Sequence, residues 1–296
     1  MYFRTMKNIF SQGVRLSFGA ILFFSLMNIC AKSLGSFSAY QLAFMRSVLV
    51  MLFCFSWLYQ QKIDLKGKKP LILFLRGVFG SFALITFMMT LQQMPLATAS
   101  MLQYISPIFT AILAYYILNE KLHSLQWIFL LVCLLGVFII KGVDTRIAWS
   151  GVGLGLFSSF CAGLAYVSIR KLNNEENSVL VVFYFALVTS LLSGFLMFFS
   201  GEKWQIPQKI DWLYIIGMGI FTQFGQTLMT MAYQVEDASI VASVNYTGVI
   251  FGFVLGWFLF NEGFDLYTLA GMCIVMAGII LNVTFKSWYK VADRKV

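Results

Sequence analysis

The sequence has few charged residues, a single histidine and no C-x-x-C pair. Only 11% of its 296 residues are charged, against about 25% in globular proteins, so there is too little polar surface to cover a water-soluble fold of this size. One histidine, His123, and five separate cysteines in apolar runs do not make a typical zinc or disulfide site. We therefore expect no metal, no cofactor, no catalytic residue and no nucleic-acid partner.

Carboxylates are missing from the apolar runs. All 12 acidic residues fall in polar connections, tails or the ends of the runs. Proton-coupled carriers commonly bury a carboxylate in the membrane as the proton site. This absence argues against simple proton antiport and leaves facilitated transport or exchange open.

Long apolar runs are abundant, because 60% of the residues are hydrophobic. A bilayer crossing needs about 20 apolar residues, and the sequence predicts ten such helices with short connections. The fold class we expect is an all-α polytopic membrane protein. The predicted spans are 14–32, 39–58, 70–92, 96–117, 124–141, 149–170, 178–200, 211–234, 238–260 and 265–285.

The chain repeats itself at an offset of 142 positions. This shift places Tyr104 on Tyr246 and Gly136 on Gly278. It predicts a first five-helix unit over 14–142, a second over 149–285 and a basic cytoplasmic tail over 286–296. Five crossings are an odd number, so the second unit enters the membrane from the opposite side, an architecture that recurs in secondary transporters.

Lys and Arg are distributed unevenly between the two sides of the membrane. With both termini inside, 14 of the 21 basic residues lie on the inner side, five lie outside and two fall within spans. The positive-inside rule therefore favours cytoplasmic termini in a multi-pass protein of a bacterial-type inner membrane.

Polar residues within the spans are the candidates for substrate binding, since amide and phenol groups in hydrocarbon are costly unless they face a partner or a wet interior. Interhelical hydrogen bonding is the alternative role. The uncharged candidates are Asn28, Gln103, Tyr104, Tyr166, Gln223, Gln226, Thr230, Asn245 and Tyr246.

Two arginines, Arg46 and Arg76, lie within spans of the first unit. The repeat places Met218 at the position of Arg76, and the slightly different offset of 138 that applies near the start of the units places Tyr184 at the position of Arg46. A charge at such depth is costly and often marks a substrate pathway, whereas snorkelling to the interface is the structural alternative. If the arginines are functional, they favour a carboxylate or phosphate on the ligand.

The pattern of two five-helix units, each with a small-residue helix, a following Glu and an apolar helix containing Gly, resembles the EamA-type branch of the drug/metabolite transporter superfamily. The motifs that carry the likeness are Arg76-Gly77, 95–99 (PLATA), Pro107, 119–122 (NEKL), Asn245-Tyr246, 256–258 (GWF) and Asn261-Glu262. The resemblance implies a central cavity lined by helices one, three, four, six, eight and nine. It also extends to the branch with S-adenosylmethionine uptake carriers. Val249, where the first unit has Pro107, departs from the pattern, so no substrate is carried over.

The sequence therefore predicts a secondary transporter that moves a small polar metabolite, amino-acid-like or nucleoside- or S-adenosylmethionine-like, by alternating access. A broad-specificity drug or metabolite efflux carrier, a passive channel and a membrane-embedded enzyme are the alternatives. The expected partners are the substrate and the lipid bilayer. Helices five and ten are almost wholly apolar, so we expect them to face lipid or another subunit, which leaves a homodimer open.

Overall fold

The computed structural model describes residues 11–93, 102–103, 105–120, 123–141, 149–248, 251 and 266–293. Over these ranges the chain forms ten α-helices and no strand, which confirms the predicted all-α fold. The helices are α1 (Gln12–Ser33), α2 (Ala39–Gln60), α3 (Pro70–Gln93), α4 (Ser106–Leu118), α5 (Ser124–Lys141), α6 (Trp149–Leu172), α7 (Ser178–Ser200), α8 (Lys209–Val235), α9 (Ala238–Val244) and α10 (Leu266–Asp293).

Five of the described helices are long and apolar enough to cross a membrane: α1, α2, α3, α6 and α7. Helix α8 is not among them, although it has 27 residues. Its amides and hydroxyls, Gln223, Gln226 and Thr227 among them, lower its hydropathy. A long helix with this composition fits the interior of a membrane bundle better than its lipid face.

Local sequence signals set several helix ends. The Ser38 hydroxyl accepts a hydrogen bond from the Gln41 N–H at the start of α2 (3.2 Å), and Asn177 caps α7 through the Val179 N–H (2.9 Å). Pro107 lies in the first turn of α4, where no N–H is needed. At the other end of α4, Asn119 adopts a left-handed conformation with φ of 55°, which stops the helix.

Each helix of the first unit packs chiefly against a helix of the second. The most extensive contacts that each helix of the first unit makes join α1 to α8, α3 to α6, α2 to α7, α5 to α10 and α4 to α6. The two units therefore form one interlocked bundle rather than two separable domains.

The α5–α10 pair shows the repeat in its packing. A Cβ atom added to Gly136 would lie 2.8 Å from Val275 Cγ2, and one added to Gly278 would lie 2.6 Å from Cys133 Sγ. Val275 is 142 positions after Cys133, so the same close contact occurs twice. Only glycine allows the two helices to approach this closely at these positions.

This pairing adds to the expectation for helices five and ten. We expected both to face lipid or another subunit, but one face of each packs on the other because paired glycines let the backbones meet. The outer faces remain exposed and apolar, with Leu131 at 51% and Leu135 at 59% on α5 and Ile280 at 53% on α10. A homodimer through these outer faces stays a prediction.

Candidate functional site

A cavity of about 240 Å³ lies inside the bundle, lined by residues of both units. The expected lining helices α1, α3, α4, α6, α8 and α9 contribute, either within the helix or in the residues next to it. Helices α2 and α7 also reach the cavity, through Arg46 and Phe185. The polar lining residues are Ser25, Asn28, Arg46, Arg76, Gln103, Ser106, Tyr166, Gln226 and Asn245.

Most of the candidate residues from the sequence therefore meet at one place. Asn28, Arg46, Arg76, Gln103, Tyr166, Gln226 and Asn245 line the cavity. Tyr104 lies outside the described residues.

Gln223, Thr230 and Tyr246 are described and do not line this cavity. The Cys54 thiol of α2 donates to Gln223 Oε1 (3.2 Å), and Gln223 Nε2 donates to the Thr227 hydroxyl (3.2 Å). Thr230 and Tyr246 are fully buried in the packed core. The polar residues of α8 extend beyond the part of the helix that faces the cavity. Some of them therefore pack against neighbouring helices instead.

Arg46 is buried on α2 and lacks a strong acceptor. Its side chain is 3% exposed, so the guanidinium does not snorkel to the membrane interface. Nη1 lies 3.8 Å from the Met27 sulfur, a weak acceptor. Among the residues that the structure describes, its buried Nε has no hydrogen-bond partner. Arg46 therefore brings an unneutralised cation and free N–H groups to the cavity.

Arg76, on α3, is equally buried but is held in place. It is 2% exposed, Nη2 donates to Gln226 Oε1 of α8 (3.1 Å), and the guanidinium carbon lies 4.4 Å from the centre of the Phe185 ring. Gly80 makes room for it, because a Cβ at that position would collide with Arg76 Nη1 and the Phe185 ring. In the described part of the chain, the Arg76 Nε also has no hydrogen-bond partner.

No carboxylate neutralises either arginine among the residues that the structure describes. The ion pairs there are Lys69–Glu175, Arg170–Glu120 and Arg170–Asp237. The described lining of the cavity contains two arginines and no acidic residue. It is therefore a cationic site, suited to an anionic group.

A layer of aromatic and amide groups borders the cavity. The rings of Tyr166 and Tyr233 are stacked, with centres 4.6 Å apart and planes inclined by 14°. Asn245 Nδ2 donates to the Tyr233 hydroxyl (3.3 Å), and the buried Asn245 Oδ1 has no partner. Gln103, at another part of the lining, accepts a hydrogen bond from the Ser158 hydroxyl (3.1 Å).

A charged cluster lies one turn beyond Tyr166 along α6, and we call it the latch: Arg170, Glu120, Asp237 and the Gln234 carbonyl. Arg170 Nε lies 2.8 Å from Glu120 Oε1 and Nη2 lies 3.0 Å from Asp237 Oδ1. Arg170 Nη1 donates to the Gln234 carbonyl (3.2 Å), and Glu120 Oε2 accepts from the Ala238 N–H (3.1 Å). The latch thus ties the ends of α4, α6 and α8 to the start of α9.

The sequence pointed only partly to the latch. Glu120 lies at the end of an apolar run in the sequence, and in the structure it forms an ion pair at that helix end. Its partner Arg170 lies 50 positions away and Asp237 lies 67 positions from Arg170, so no local spacing links the three.

Comparisons with known proteins give consistent results. The model of the EamA-like transporter family matches residues 11–142 and again 149–284. The pseudopaline exporter of Pseudomonas aeruginosa is 30% identical over 283 residues, covering 94% of this chain and 99% of that protein. The S-adenosylmethionine uptake transporter of Rickettsia prowazekii is 24% identical, covering 88% of each chain. A solved crystal structure superposes with a TM-score of 0.81 at 16% identity, over 92% of this chain and 97% of the other, which shows a shared fold.

Proposed function

The chain belongs to the EamA-like transporter family, and from this premise we propose that it is a secondary transporter that moves a small polar metabolite by alternating access. The observation that carries the proposal is the cavity that both units line with buried polar side chains and two arginines. Such convergent polar groups in an otherwise apolar pocket are typical of a ligand site.

The relatives support a polar metabolite without fixing which one. By name, one relative exports pseudopaline and another takes up S-adenosylmethionine. Because the two differ in both respects, we assign neither their direction of transport nor their substrate to this chain. An amino-acid-like or nucleoside-like metabolite is compatible with both. The residues that we propose to contact it are Asn28, Arg46, Arg76, Gln103, Tyr166, Gln226 and Asn245.

The cavity volume favours a small metabolite over a bulky drug. Pockets for drug-sized ligands measure about 300–1,000 Å³, and this cavity measures about 240 Å³. A broad-specificity efflux carrier would need more space or a more adaptable lining.

We propose that the latch is at the cytoplasmic end of the bundle, in an inner membrane. The positive-inside count assigns the connections after α2, α4, α6 and α8 to the cytoplasm, and Glu120 and Asp237 lie in two of these connections. The Tyr166–Tyr233 stack and the latch then close the cytoplasmic path to the cavity, and alternating access requires both to separate.

Counterflow in proteoliposomes tests the proposal. Purified protein is first screened by thermal shift with amino acids, dicarboxylates, nucleosides and S-adenosylmethionine, and each stabilising ligand is then used as labelled tracer. A carrier gives saturable tracer uptake that unlabelled ligand on the opposite side accelerates. Flux that rises linearly with concentration and lacks this acceleration would identify a channel and contradict the proposal.

A further inference from the structure

We infer that the cavity selects a metabolite with two carboxylate groups, one bound at Arg46 and the other at Arg76. The inference rests on the proposed function and names the substrate class of the same cavity. It comes from the charge of the lining, the different surroundings of the two arginines and their different depths.

The charge of the lining requires compensation. Both guanidiniums are at most 3% exposed and stay protonated in proteins. The described lining offers no carboxylate to either of them. Buried cations without a counter-ion are costly, and a ligand with one carboxylate would leave one of the two uncompensated. A dianion neutralises both.

The two arginines offer complementary contacts. Among the described residues, the Met27 sulfur is the one hydrogen-bond partner of the Arg46 guanidinium, so its planar fork can bind a carboxylate through two N–H groups. Arg76 is oriented by Gln226 and Phe185 and keeps an unpartnered Nε. Arg46 therefore provides the stronger contact, and Arg76 provides a preorganised second one.

The depths of the two residues separate the two charges. Helices α2 and α3 start at opposite ends of the bundle, with Arg46 seven residues into α2 and Arg76 six residues into α3. At about 1.5 Å per residue these are depths of about 10 Å and about 9 Å. In a hydrocarbon core of about 30 Å, the two Cα atoms differ in depth by about 10 Å. Two charges at the ends of one short ligand match this separation better than one shared carboxylate.

A third group indicates a further polar group on the ligand. Asn245 lines the cavity, and its Oδ1 is buried without a donor, while its Nδ2 bonds Tyr233. A free acceptor suits an amino or hydroxyl group on the ligand. Acidic amino acids and hydroxy-dicarboxylates carry all three features.

Binding of matched ligand pairs to the purified full-length protein tests the inference. The probes are L-aspartate, L-glutamate and L-2-aminoadipate, each compared by calorimetry with the amide that neutralises its side-chain carboxylate. We expect at least one diacid to bind about tenfold or more tightly than its amide. Equal affinity of every pair, or no binding by any of the diacids, would overturn the inference.

Variants show whether the arginines cause the preference. In Arg46→Gln and Arg76→Gln, diacid affinity should fall about tenfold or more, the scale of a lost charge-assisted hydrogen bond. The amide keeps only its α-carboxylate, so its affinity should fall in the variant that removes the arginine bound to that carboxylate and change less than threefold in the other. Arg46→Lys keeps the charge and should keep most of the preference, which separates loss of charge from loss of fold. Arg15→Gln, on the exposed face of α1, is the matched control. Equal losses for diacid and amide in both variants would mean that the arginines have a structural role.

Failure of this inference is distinguishable from failure of the proposed function. Counterflow of a neutral metabolite without diacid preference would support the proposed transport function and contradict the inferred specificity for diacids. Diacid binding without counterflow of any ligand would support the anion-binding site but contradict the proposed transport function.

Discussion

Breaking the latch should open the end of the bundle that it closes. Arg170→Gln removes the charge that pairs with Glu120 and Asp237 at 2.8 and 3.0 Å. These side chains are only 16–22% exposed, so water screens the pairs less than at the surface. The glutamine side chain of the variant is polar and uncharged, and the substitution does not alter the Tyr166–Tyr233 stack.

The expected magnitude follows from the hydrogen bonds of the Arg170 guanidinium. A charge-assisted hydrogen bond contributes about 1.5–3 kcal/mol, and Arg170 makes three. Glu120 keeps the Ala238 N–H, and both carboxylates regain water when the end opens. We therefore assign the net value of about one bond, about 2 kcal/mol. This shifts the ratio of closed to open states about 30-fold toward open.

Distances between spin labels report this shift. Labels at Tyr116 of α4 and Val235 of α8, both exposed, follow the separation of the two units at this end, in a background where exposed Cys273 is replaced by Ser. Arg170→Gln should add or enlarge a population at longer distance. Lys69→Gln is the matched control, because its pair with Glu175 is 34% and 51% exposed and contributes little. An unchanged distribution in Arg170→Gln, or an equal change in the control, would refute the role of the latch.

Three further predictions follow from the packing and the charge distribution. Gly136→Leu should destabilise the α5–α10 pair by about 1–3 kcal/mol or more and so lower the melting temperature. Gly153→Leu is the control and should not, because the space around an added Cβ at Gly153 is open. Equal melting temperatures of the two variants would contradict the close contact. Gly80→Ala should push the Arg76 guanidinium away from Gln226 and weaken ligand binding with little loss of thermal stability; unchanged binding would exclude a positioning role for Gly80. A phosphatase fused to the C-terminus should be inactive, since we place that terminus in the cytoplasm, and an active fusion would reverse the orientation.

The sequence was sufficient to predict the fold class, most of the helices and the repeat, although the predicted spans 96–117 and 238–260 correspond to shorter described helices, Ser106–Leu118 and Ala238–Val244. Apolar runs of bilayer length have few alternative structures, because backbone groups in hydrocarbon must be paired within the helix. The repeat of Gly136 in Gly278 reappears as the twofold contact between α5 and α10. Arg46 and Arg76 could also be identified from the sequence as candidate functional residues, because a charge inside an apolar run is costly and therefore uncommon without a function.

The orientation of individual side chains could not be predicted to the same degree. Gln223 and Gln226 lie three residues apart on one face of α8, yet Gln226 reaches Arg76 while Gln223 is engaged by Cys54. This difference depends on where α2 packs, which involves a residue 169 positions away in the chain. The same holds for the stacking of Tyr166 on Tyr233, since no periodicity relates α6 to α8.

Counterflow in proteoliposomes with the cavity filled tests the central claim most directly. Ala165 lines the cavity on α6 and is almost fully buried, so Ala165→Trp places an indole in the space that we assign to the substrate. We predict that the wild-type protein shows saturable uptake accelerated by substrate on the opposite side, and that the variant, checked to be folded and monodisperse, shows none. Undiminished counterflow in the folded variant would mean that the substrate takes another path and would contradict the account.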